Sequence, residues 1–194
     1  MIICGFPGNY NYDDRPGYVR VFKLRSGNDV GTATWEQIGQ NITGEANGDE
    51  FGWSVSISND GKTIAIGGKY NDGKNGKYSG HVRIYRLNVD DTRWEQIGDD
   101  IDGDAAGDYL GYSVSLSANG TIVAIGAPYA AIDDKRTGKV HVYRIDSAGS
   151  SWEQLVESIY GDNDNDFYGW SVDISNDGNT IAIGSPTKSD GGQG

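Results

Sequence analysis

The tetrapeptide Trp35-Glu36-Gln37-Ile38 returns as Trp94-Glu95-Gln96-Ile97 and as Trp152-Glu153-Gln154-Leu155, at steps of 59 and 58 residues. Two further motifs keep the same phase. Gly52-Trp53-Ser54-Val55 recurs as Gly111-Tyr112-Ser113-Val114 and Gly169-Trp170-Ser171-Val172, and Ile64-Ala65-Ile66-Gly67 recurs as Val123-Ala124-Ile125-Gly126 and Ile181-Ala182-Ile183-Gly184. A period of this length marks a supersecondary unit stacked on copies of itself, each copy covering the apolar face of its neighbour.

Each repeat reads as four strands, A to D. Strand A, Trp53 to Ser58, alternates Trp53, Val55 and Ile57 with serines, and Asn59-Asp60-Gly61 supplies a tight hairpin turn into strand B. Strand B, Thr63 to Gly67, sets Ile64 and Ile66 on one face and the small Ala65 and Gly67 on the other, where neighbouring sheets converge. Strand C, His81 to Leu87, alternates apolar Val82 and Ile84 with polar His81, Arg83 and Tyr85, and strand D begins at Trp94. Four antiparallel strands per repeat make a β-propeller blade. The predicted fold is all-β, about three such repeats forming an incomplete propeller: a partial blade 1–43, blades 44–102 and 103–160, and a partial blade 161–194. The phase gives strands B-C-D, A-B-C-D twice and A-B, thirteen in all, about half of what seven four-stranded blades need.

These residues resemble the FG-GAP repeat of integrin α-chain propellers, named for a Phe-Gly that opens strand A and a Gly-Ala-Pro that closes strand B. Phe51-Gly52, Leu110-Gly111 and Tyr168-Gly169 match the first half; Gly126-Ala127-Pro128, Gly184-Ser185-Pro186 and Gly5-Phe6-Pro7 match the second. Gly138 to Tyr143 is similar to the family's following strand. Members often carry a calcium loop between strands A and B, but here that hairpin is shortened to Ser58-Asn59-Asp60-Gly61, which argues against calcium there. The resemblance implies a non-catalytic binding or adhesion scaffold of a secreted or cell-surface protein. No signal peptide is evident in the chain, and no segment reaches transmembrane length.

The formal net charge of −12, from 28 acidic and 16 basic side chains, repels phosphate backbones and anionic membrane surfaces, so nucleic acid and membrane insertion are not expected. Cys4 is the sole cysteine, reads as taking the place of the strand B alanine, and leaves no internal disulfide or Cys/His metal cluster to be built with His81 and His141. Those two histidines fall at different repeat positions and read as surface strand residues. Trp35, Trp94 and Trp152, repeated in every blade, read as blade packing rather than as sugar platforms. The sequence contains no nucleophile elbow, phosphate loop or zinc-protease motif.

Asp162, Asp164 and Asp166 have the alternating spacing of the start of a calcium loop and are the metal candidates. However, Phe167 stands where the turning glycine belongs and no bidentate Glu follows, so the expected reading is a solvated linker without a cofactor. The loops after strand B, Pro7 to Pro16, Lys69 to Ser79 and Tyr129 to Thr137, differ most between repeats, and Tyr12, Tyr70 and Tyr129 in them are the ligand candidates. The expected partner is a protein or glycan bound by these propeller-face loops. Open blade edges add the expectation of self-association. The alternatives are an accessory propeller of a hydrolase and a self-assembling structural repeat.

Overall fold

The structure, a computed structural model, describes residues 1–8, 15–26 and 32–187. Among them the chain forms fifteen strands and no helix. One sheet holds β1 (Ile2–Phe6), β2 (Tyr18–Arg25) and β3 (Thr34–Thr43). The second runs β4 (Phe51–Ile57), β5 (Thr63–Gly68), β6 (His81–Leu87) and β7 (Trp94–Gln96), with β8 (Ile101–Asp102) also on β6. The third repeats that order with β9 (Ser113–Leu116), β10 (Ile122–Ala127), β11 (Lys139–Ile145), β12 (Trp152–Gln154) and β13 (Ile159–Tyr160), and β14 (Ser171–Ile174) pairs with β15 (Ile181–Gly184). All strand pairs are antiparallel, as blades require.

Thirteen expected strands become fifteen because strand D is interrupted twice. β7 and β8 both pair with β6, and between them Gly98 adopts φ +74°. In the first sheet the strand is continuous, but its register slips between Val19 and Val21 and Gly39 takes φ +69° at the same repeat position. The kink seats the tryptophan of the following blade: Trp94 Nε1 donates to Ile38 O at 3.1 Å and Trp152 Nε1 to Ile97 O at 3.0 Å. A Cβ on Gly39 would lie 2.5 Å from Trp94 Cδ1. Trp94 is accordingly buried, and its indole holds blade to blade.

The core lies between successive sheets. Val19, Val21 and Ile38 of the first pack on Phe51, Ile64 and Ile66 of the second, while Val82 and Ile84 of the second pack on Leu110, Val123 and Ile125 of the third. Each of these side chains is nearly solvent-free, which contributes about 1.5–3 kcal/mol apiece. Nearer the axis the sheets approach too closely for side chains. A Cβ on Gly5, Gly67 or Gly126 of strand B would lie 2.0, 2.2 or 2.0 Å from the carbonyl oxygen of Gly52, Gly111 or Gly169 on the next blade. Ser54 and Ser113 hydroxyls bridge the same seams, donating to Gly111 O at 2.7 Å and Gly169 O at 2.9 Å.

Two sequence expectations need correction. The strand C histidines are not on the surface: His81 and His141 are buried, as are their neighbours Arg83 and Lys139, with Asp100 and the linkers that carry Glu45, Asp104 and Asp108 lying over them. The pattern swaps between blades, so that each holds one permanent cation and one histidine. In one, Arg83 Nε donates to Asp100 at 2.9 Å and its guanidinium also pairs with Glu45; in the other, Lys139 pairs with Asp104 at 2.7 Å and Asp108 at 3.0 Å. Cys4, partly exposed, stands opposite Arg20 as Ile66 stands opposite Arg83, so it occupies the isoleucine place of strand B and Ile3 that of the alanine.

Gly126→Ala inserts a methyl into backbone and should lower stability by about 3 kcal/mol. Gly107→Ala, at φ +80° with nothing within 4 Å of its Cβ, should cost only about 1 kcal/mol of backbone strain; urea midpoints of the two variants check this. Burial, aided by the Lys139 charge, lowers the His141 pKa from its ordinary 6.5. The unfolded chain therefore takes up a proton near pH 6.5 that the folded chain refuses, and stability should fall as pH drops below that value. Replacing His141 with glutamine should flatten the slope of urea midpoint against pH in this window.

Candidate functional site

Each linker ends in the same turn. The N–H of Trp53 donates to Glu50 O at 3.0 Å, Tyr112 to Tyr109 O at 3.1 Å and Trp170 to Phe167 O at 3.1 Å. The third residue of each turn, Gly52, Gly111 or Gly169, has φ of 92°, 85° or 90°, the conformation that gives glycine its place in the Phe-Gly motif. Glu50, Tyr109 and Phe167 are themselves left-handed, at φ 53°, 56° and 54°. A buried aspartate secures the start of the linker: Asp49, Asp108 and Asp166 accept from the N–H groups of Ala46, Ala105 and Asn163 at 3.0, 3.1 and 2.9 Å.

These turns place side chains of successive blades on one face, next to the residues that follow strand B. Tyr70 and Tyr129 both meet Tyr109, with ring centroids 5.3 and 4.8 Å away. Tyr112 meets Trp53 at 5.7 Å, Tyr129 at 6.4 Å and Trp170 at 4.6 Å; Phe167 meets Tyr129 at 5.1 Å, and Tyr78 meets Tyr70 at 5.4 Å. The result is one continuous aromatic surface across three blades, on which Trp53 is 41% and Trp170 39% exposed. Lys69 lies within it, Nζ 3.2 Å from Glu50 and 2.9 Å from the Trp53 centroid, and burial lowers its pKa although the Glu50 charge opposes this. Burial and neighbouring phenols raise the pKa of Tyr70 and Tyr109 and push that of Tyr112 up to about 12, so all three are neutral donors at physiological pH.

Of the sequence candidates, Tyr70 and Tyr129 belong to this face and Tyr12 lies outside the described residues. The three aspartates do not converge. Asp162 is exposed, Asp164 accepts from Arg136 N at 2.9 Å, and Asp166 is turned into its own linker. Among the described residues the one acidic and histidine group whose ligand atoms all lie within 4.8 Å is Glu45, His81 and Asp100. There the Arg83 guanidinium already occupies the cation's place. Burial opposes ionisation of Asp100, but the His81 ring 3.4 Å away, hydrogen bonds from Arg83 and Gln96 and the Arg83 charge prevail and hold it well below the usual carboxylate range. In the shortened A–B hairpin the Asp60 carboxylate accepts from Ser58 Oγ at 2.6 Å and Lys62 N at 2.9 Å, closing the turn on itself. Sequence reasoning missed Trp53, Tyr112 and Trp170 as site residues because that position reads as the first of strand A's alternating apolar residues, and missed Tyr109 and Phe167 because linkers read as solvated.

No curated protein sequence matches the chain. Among solved structures, it resembles a protein assigned as a 6-phosphogluconolactonase from Bacteroides fragilis, with 14% identity, a TM-score of 0.49, and coverage of 89% of this chain and 37% of that one. It also resembles the periplasmic gluconolactonase of Pseudomonas aeruginosa, with 15% identity, a TM-score of 0.47, and coverage of 94% and 47%. The chain thus spans less than half the length of either, and neither likeness bears on activity. Residues 43–85 and 100–143 each match the FG-GAP repeat, so the chain carries two copies of that repeat.

Proposed function

We propose that this chain is a non-catalytic binding or adhesion scaffold of a secreted or cell-surface protein, which recognises a protein or glycan partner through its aromatic face. The observation that carries the reading is the contiguity of that face. Partly exposed indole and phenol rings run without interruption from Trp53 to Trp170, and contiguous apolar patches on folded proteins mark interaction sites. Tyr and Trp supply large contact area with few rotatable bonds, so ordering them on binding costs little entropy. Rigid glycine seams beneath the face hold the rings in place before a partner arrives, which favours affinity further.

The chemistry of the face suits stacking rather than proton transfer. Its buried ion pair, Lys69 with Glu50, is closed on itself at 3.2 Å, and its phenols with raised pKa values remain protonated at neutral pH. Binding by the wild-type chain to arrays of glycans and of cell-surface proteins tests the proposal. The Tyr70→Ala/Tyr129→Ala double variant should lose about tenfold or more in affinity for whatever the wild type captures, with its urea midpoint little changed. Undiminished capture by the double variant would place recognition elsewhere.

A further inference from the structure

The aromatic face repeats the same ring positions twice, with the chain's own lysine among the rings of one copy and a proline at its place in the other. In the first, the Lys69 ammonium lies 2.9 Å from the Trp53 centroid, 4.7 Å from Tyr70 and 5.2 Å from Tyr112. Glu50, at 3.2 Å, is its counter-ion. Advancing one repeat turns Trp53 into Tyr112, Tyr112 into Trp170 and Tyr70 into Tyr129. This second set also comes together: Tyr112 meets Trp170 at 4.6 Å and Tyr129 at 6.4 Å, and Phe167 closes the circuit 5.1 Å from Tyr129 and 6.2 Å from Trp170. At the position of Lys69, however, the second copy has Pro128, and at that of Glu50 it has Tyr109. Among the described residues, every cation over Tyr112 comes from Lys69, and no lysine or arginine stands over Tyr129, Phe167 or Trp170.

We infer that the Tyr112–Tyr129–Phe167–Trp170 cage takes an organic cation from a ligand, and that it prefers a quaternary ammonium to a primary one. This rests on the reading of the face as a recognition surface and names the ligand chemistry for it. The internal copy supplies the argument for the occupant, since three of the four ring positions, at Trp53, Tyr70 and Tyr112, surround an ammonium there. The preference follows from the exchange of Glu50 for Tyr109. A primary ammonium carries N–H donors that must be satisfied when water leaves, and in the first cage a carboxylate does so; a quaternary ammonium has none and is held by ring faces alone. The formal charge of −12 draws cations toward the chain in general, and the cage selects among them.

Titration of the whole chain with tetramethylammonium chloride tests this, read by the Tyr112 and Tyr129 ring-proton shifts in NMR, which every variant retains, with methylammonium and sodium chlorides at matched ionic strength as references. The expected result is saturable binding, at least about tenfold tighter than that of methylammonium. Trp170→Leu should weaken it about tenfold or more, and so should Pro128→Lys, which fills the cage from the chain's own side as Lys69 fills the first. Having two variants protects the test against misfolding of either one. A shift no larger than that in sodium chloride, equal binding of methylammonium, or binding unchanged in a folded Trp170→Leu protein would overturn the inference. If tetramethylammonium fails to bind while array capture persists and is lost in Tyr70→Ala/Tyr129→Ala, the cage falls and the recognition face stands. If both fail, both fall.

Discussion

Backbone meets backbone at each blade seam, and the rest of the molecule is arranged around that contact. Strand B of one blade offers a glycine, and the opening turn of the next offers another glycine whose carbonyl would lie 2.0–2.2 Å from any Cβ placed on the first. The two halves of the FG-GAP motif are therefore two sides of one contact, made between neighbouring blades rather than within one. Serine hydroxyls on strand A donate across the same seam, and farther from the axis the indoles of Trp94 and Trp152 repeat the arrangement against a kinked strand D. Small residues inside and large ones outside give each unit the wedge shape by which blades succeed one another around an axis.

That constraint also builds the candidate site. The second glycine has a φ near +90° because the chain turns sharply out of the linker, and the turn sends the residues on either side of it, at the Glu50 and Trp53 positions, to a common face. Because the seams repeat, so do the side chains, and rings of neighbouring blades come within contact of one another. Recognition chemistry and blade packing are thus not separate layers here. The same aromatic positions touch their neighbours across the seam and face solvent above it.

Much of the architecture was legible in the sequence because period, alternation and turn chemistry all agreed on strand order, from Ile64-Ala65-Ile66-Gly67 to Ser58-Asn59-Asp60-Gly61. The split of strand D was not, since Gly98 reads as an ordinary strand-end glycine until the Trp152 indole is seen to need the kink. His81 and His141 were misread for a related reason. Alternation tells which face of a strand is polar but not whether that face is covered, and here Glu45, Asp104 and Asp108 of the linkers, together with Asp100, lie over it. Of the loop tyrosines, Tyr70 and Tyr129 were singled out as variable-loop residues, yet they are the same repeat position. The informative difference lies one residue earlier, where Lys69 becomes Pro128. A cation lost from one copy of a cage can be noticed only once the cage itself is visible.

The seam contact is tested most directly by hydrogen exchange on a Gly67→Ala chain, compared amide by amide with the wild type. A methyl at this position would meet the Gly111 carbonyl at 2.2 Å, so the inner strands on both sides of the seam, β4 and β5 in one blade and β9 in the next, should lose protection together. Faster exchange confined to the residues next to position 67, with β9 as protected as before, would mean that the blades do not depend on the glycine contact and would contradict the account.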